Sequence, residues 1–169
     1  MIMRKFFSSI LLALFIFIVA VFAITILIKC DHSEMGKVFS FQPQNSTAAS
    51  YVKPFCKNCN QYYQPKIFRG TPTDSSYLEV VKVHTDADEL VGGEVYTVTA
   101  IVTLRDFDNA KTRIRCKVES DDIIVDFSVE FRDEFEESVS LLDEGDEITF
   151  HGRLYEDGFG WTECELIGE

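Results

Sequence analysis

The sequence predicts an all-β protein, a small barrel of five strands with one short helix, standing behind a single N-terminal transmembrane helix. Three observations carry that expectation. An uncharged run from Phe6 to Ile28 is long enough to cross a bilayer. Beyond Glu94, four segments alternate apolar and polar residues with period 2. Between the third and fourth of these, one stretch follows helical spacing instead.

The run FFSSILLALFIFIVAVFAITILI interrupts its apolar residues only with Ser8, Ser9 and Thr25. At a rise of about 1.5 Å per residue, about 23 residues cover a hydrocarbon core of roughly 30 Å. A cleaved signal peptide has an apolar region of only about 7 to 15 residues before a small-x-small site. Here that site, Val21-Phe22-Ala23, would fall inside the run. Lipid attachment at Cys30 would want small residues before the cysteine, where Ile28-Lys29 stands. An uncleaved single span over 6–28 is therefore expected, after a basic tip at 1–5. Arg4 and Lys5 place that tip in the cytoplasm and the C-terminal domain outside, since Lys29 is soon followed by Asp31 and Glu34.

The 169 residues carry a net charge of −12, and every Asp and Glu lies beyond the apolar run. Such a surface repels phosphate backbones, which makes nucleic acid an unfavourable partner.

Residues 29–73 hold all four prolines and no sustained period, and read as an irregular linker. Within it, Cys56-Lys57-Asn58-Cys59 resembles one knuckle of a zinc ribbon. The second knuckle is missing, and neither His32 nor His84 stands at a ligand spacing. Three readings stay open: a local disulfide or relic knuckle, zinc shared with another residue or chain, and a redox pair. The last needs a following helix, and Asn60-Gln61-Tyr62-Tyr63 starts one poorly. Asn45-Ser46-Thr47 matches a glycosylation acceptor. In the lead-in 74–93, Tyr77 to Val83 fits either a strand or a helix capped by Asp74. Thr85 to Leu90 reads as a short helix ended by Gly92-Gly93.

The domain 94–169 is the clearest part. Val95 to Leu104 places Tyr96, Val98, Ala100, Val102 and Leu104 on one face. Lys111 to Glu119 turns Ile114, Cys116 and Val118 inward and Lys111, Arg113, Arg115 and Lys117 outward. Ile123 to Phe131 turns Val125, Phe127 and Val129 inward and Asp126, Ser128 and Glu130 outward. Asp133 to Leu142 is the helical stretch, Glu147 to Tyr155 resumes alternation, and Gly158-Phe159-Gly160 turns into Thr162 to Ile167. The order β-β-β-α-β-β is that of an OB-fold, a five-stranded Greek-key barrel.

Four stretches also look familiar: Gly93-Glu94-Val95-Tyr96-Thr97-Val98-Thr99-Ala100, Arg115-Cys116-Lys117-Val118, Leu141-Leu142-Asp143-Glu144-Gly145-Asp146-Glu147-Ile148-Thr149-Phe150-His151-Gly152, and Thr162-Glu163-Cys164-Glu165-Leu166-Ile167. Together they resemble the tRNA-anti-like OB-fold family, largely uncharacterised proteins often carried on a membrane or lipid anchor. The resemblance covers about residues 91–169 and implies a shared fold without a shared ligand.

An OB-fold usually binds across its second and third strands and adjoining loops, which nominates Arg113, Arg115 and Lys117 together with Phe107 and Trp161 near loops. If Ser120-Asp121 is the turn, Arg115 stands opposite Asp126, Arg113 opposite Ser128 and Lys111 opposite Glu130, so the basic stripe is mostly neutralised by its neighbours. Cys116 and Cys164 both point inward, either as a disulfide or as two buried thiols. Cys30 is left odd, close to the bilayer. No nucleophile–base or phosphate-loop pattern appears. The expectation is a membrane-tethered, non-enzymatic OB-fold module binding a protein or small ligand at the cell envelope. The alternatives are a single-stranded nucleic-acid binder and a metal or redox role for Cys56 and Cys59.

Overall fold

The computed structural model describes residues 15–17, 30, 32–43, 46–105, 112–156 and 159–168. Of the apolar run, only 15–17 are among them, in helical conformation; the rest of the predicted span lies outside the described residues. Among the described residues, no helix is long and apolar enough to cross a membrane.

The chain runs β1 (Met35–Ser40), β2 (Ser50–Cys56), β3 (Lys66–Phe68), α1 (Ser76–Val83), β4 (Val95–Arg105), β5 (Arg113–Glu119), β6 (Ile123–Phe131), a 3₁₀ turn (Asp133–Phe135), α2 (Glu136–Ser140), β7 (Glu147–Leu154) and β8 (Trp161–Leu166). Strands β6-β5-β4-β7-β8 lie side by side, and β8 returns parallel to β6 to close a five-stranded barrel. The barrel, its strand order and the helical interruption before β7 thus agree with the period-2 reading. β4 pairs with β7 from Val95 to Ile101 and with β5 from Ile101 to Arg105, and a register shift between Val102 and Leu104 interrupts the β5 pairing.

The β5–β6 hairpin has the predicted faces but another register. Ser120 N–H donates to Ile123 O (2.8 Å), so Asp121-Asp122 forms the turn. Arg113 pairs with Glu130, Arg115 with Ser128 and Cys116 with Phe127. A slip of two residues returns each side chain to the same face, so alternation could not distinguish the two registers.

Residues 29–73 are not an irregular linker. β1 and β2 form an antiparallel hairpin, β3 extends it, and β1 lies parallel to the first half of β6. β6 thereby uses one edge twice, for β1 at Lys37–Ser40 and for β8 from Val129 onward. Pro54 is tolerated in β2 because its backbone faces away from β1, where Pro54 O accepts from Tyr63 N–H (2.9 Å).

The lead-in helix is α1, not residues 85–90. Asp74 Oδ1 accepts from Ser76 N–H (3.1 Å) at its start, and Tyr77, Val80 and Val81 are buried. The following residues lie along the edge of β4 that β5 leaves open: Thr85 bridges Val98 and Thr99 N–H donates to His84 O (3.0 Å). Pairing that edge satisfies backbone groups that a short helix would have left bare.

One core serves all layers. Trp161 packs edge-on against Phe127, Phe150 and Phe159, and Phe159 continues the cluster to Phe41 and Tyr77 (4.7 and 5.1 Å between centroids). Helix and hairpin are therefore built into the barrel's interior packing.

Candidate functional site

Strands β5 and β6 turn their predicted basic stripe toward the face where an OB-fold usually binds, and the chain itself covers that face. Arg115, 6% exposed, donates to Asp126 Oδ1 (2.8 Å), Gln42 Oε1 (3.2 Å) and Ser40 Oγ (3.1 Å). Arg113 pairs with Glu130 at 3.0 Å, and Lys117 with Glu119 at 2.7 Å. Tyr155 donates its hydroxyl to Glu130 (3.1 Å), and burial pushes that hydroxyl up to about 12. Burial also raises the Asp126 carboxyl, against the pull of the Arg115 guanidinium. This arrangement fixes the end of β1 to the barrel and leaves these cations engaged. Trp161, expected near a loop and open to a ligand, is 0% exposed, because it begins β8 pointing inward. Phe107 lies outside the described residues.

The open surface is elsewhere. The β1–β2 connection, the end of β3 and Phe159 frame a cleft of about 540 Å³, lined by Phe41, Gln42, Ser46, Thr47, Ser50, Phe68 and Arg69 among others. It combines an aromatic floor with hydroxyl and guanidinium groups, the mixture that a ligand site requires. Register reasoning missed it because it depends on β1 to β3.

At the opposite end of the same hairpin, four soft donors converge. Cys30, His32, Cys56 and Cys59 place their ligand atoms within 4.8 Å of one another. Cys30 Sγ lies 3.2 Å from Cys56 Sγ and 3.4 Å from His32 Nδ1, and Cys59 Sγ lies 3.7 Å from His32 Nδ1. Cys56 ends β2, and the turn after it closes through Asn60 N–H to Cys56 O (2.8 Å), with Asn60 at φ 55°. His32 also takes a left-handed φ of 49°, which folds its ring back onto Cys30, and Tyr63 packs edge-on against it. Burial works to raise the Cys56 thiol, but hydrogen bonds from Cys30, His32 and the Cys59 N–H hold it down at about 6. The bond to Cys56 in turn raises Cys30 to about 11. His32, which its sequence spacing set apart from the Cys56-Cys59 pair, is brought beside it, and Cys30, expected to be left over, is a free thiol lying next to Cys56.

Cys116 and Cys164 are free and fully buried, and burial pushes both thiols well above their ordinary range. The remaining histidines are engaged: His84 Nε2 lies 3.2 Å from Glu119 O and His151 Nδ1 lies 3.2 Å from Thr97 Oγ1.

No protein-family model matches the chain, and neither a curated protein nor a solved structure matches it.

Proposed function

We propose that the protein is a membrane-tethered, non-enzymatic OB-fold module that holds a binding cleft at the cell envelope and takes a protein segment or small ligand there. The observation that carries this reading is the position of Met35. β1 begins about seven residues after the apolar run, a distance of at most roughly 25 Å of extended chain. The barrel is thereby held against the bilayer instead of hanging on a long linker. The hairpin orients it: Met35 pairs with Cys56 at the membrane end, whereas Ser40 pairs with Tyr51 beside the cleft. The cleft then faces away from the membrane, about 17 Å or more from the Cys56 end by strand rise. The single-stranded nucleic-acid reading loses its support, because the paired Arg113 and Arg115 and the buried Trp161 leave neither free cations nor a stacking platform at those positions.

A photo-crosslinking residue in place of Thr47, in full-length protein within its own membranes, tests the cleft. The reading expects discrete adducts that a crosslinker in place of Glu144, in the α2–β7 turn, does not give. The same adducts at both positions, or none at Thr47, would overturn it.

A further inference from the structure

We propose that Cys30, His32, Cys56 and Cys59 bind one zinc ion as a tetrahedral Cys₃His site that fastens the chain leaving the apolar run to the β2 end of the hairpin. Zinc–sulfur bonds of about 2.3 Å and a zinc–nitrogen bond of about 2.0 Å put tetrahedral edges near about 3.8 Å between sulfurs and about 3.6 Å between sulfur and nitrogen. The distances of 3.2, 3.4 and 3.7 Å, with all four atoms within 4.8 Å, fall around those edges. Small side-chain rotations complete the shell.

A disulfide accounts for less of the arrangement. It would use two of the three thiols and give no reason for the imidazole or for the left-handed backbone that aims it. The 3.2 Å between Cys30 and Cys56 Sγ is also well beyond a bonded pair, at about 2.05 Å. Three thiolates and one imidazole favour zinc over harder cations, and four protein ligands leave no open position for water or substrate. The site is structural. Binding displaces the protons of the thiols still protonated and leaves zinc and sulfur at their original oxidation states.

Its consequence is mechanical. The ligands come in two pairs from either end of the hairpin's chain, Cys30 and His32 before β1, and Cys56 at the end of β2 with Cys59 in the turn that follows. One ion thus closes the loop between the apolar run and the barrel, and shortens the free connection from Met35 back to Cys30. Tyr63, against the imidazole, and Lys57 N–H, donating to Glu34 O (3.0 Å), brace the two halves.

Elemental analysis of the full chain, purified without chelator and with the thiols kept reduced, tests the site whether or not the apolar run spans a membrane. One zinc per chain is expected, and cobalt substitution should give the absorption of a tetrahedral thiolate site. Cys30→Ser and His32→Ala should each weaken zinc binding at least tenfold, His32→Cys should retain it, and Cys116→Ser should leave it unchanged. Emission from the single tryptophan, buried Trp161, confirms that each variant has folded. A chain without metal, or zinc held equally well without Cys30 and His32, would overturn the proposal.

Discussion

The ring of Phe55 lies directly across Gly36, and a Cβ at Gly36 would also stand 2.8 Å from Asp122 O. That contact joins the added hairpin to the turn between β5 and β6, since Lys37 N–H donates to the same carbonyl (2.8 Å). Gly36→Ala must displace β1 or Phe55, and should cost about 1–3 kcal/mol, the usual range for overpacking. Chemical denaturation of the variant checks it. An unchanged midpoint would mean that the hairpin is not integral to the fold.

Arg115 and Asp126 form a pair that the barrel and β1 enclose together. Arg115→Ala leaves the Asp126 carboxylate largely buried without its cation, and should destabilise by about 3 kcal/mol. Because burial raises the Asp126 carboxyl, the folded state binds protons more readily than the unfolded one there. The variant should therefore lose stability as pH rises through the carboxylate range, more steeply than the parent. Thermal unfolding at several pH values measures this.

Lys37 and Asp74 tie β1 to the start of α1 at 2.6 Å, and the pair holds the Asp74 carboxyl at about 2. A depressed carboxylate contributes stability fully above its unfolded value, near about 3.9, and loses it as pH falls toward about 2. Both side chains are more than a third exposed, so the contribution is screened and salt-sensitive. Asp74→Asn should flatten the acid limb of the stability profile between about pH 4 and pH 2. An acid limb identical to that of the parent would remove Asp74 from the account.

At Gly152, an added Cβ would come within 2.9 Å of Cys164 Sγ and 3.0 Å of the Phe150 ring. Gly152→Ala should destabilise by about 1–3 kcal/mol. Cys116 and Cys164 should resist alkylation in the folded protein and both react after denaturation without reductant. A mass showing them joined would contradict the free thiols of the structure.

The five barrel strands were legible because each buries one face, which writes period 2 into Val95 to Leu104 and its successors. β1 to β3 were not. β3 has three residues, Pro54 inside β2 reads against a strand, and β1 takes its place from a parallel partner more than 80 residues away, information that no local window contains. The Cys56-x-x-Cys59 pair was visible in the sequence, but its convergence with Cys30 and His32 was not. Cys30 and His32 meet where His32 takes a positive φ, a backbone state that the sequence does not announce. The signal in the sequence is a second pair of soft donors, Cys30-x-His32, at the other end of the segment that holds Cys56 and Cys59. Trp161 was misplaced because Gly158-Phe159-Gly160 suggested a loop, whereas β8 begins at Trp161 itself.

The proposed orientation puts the barrel at the bilayer with its Cys56 end toward the lipid and its cleft away. A fluorescent residue at position 58, in the exposed turn after Cys56, and another at position 47, exposed beside the cleft, report on that directly. With the full chain in nanodiscs containing spin-labelled lipid, strong quenching is expected at position 58 and little at position 47. Equal quenching at both positions, or none at position 58, would contradict it.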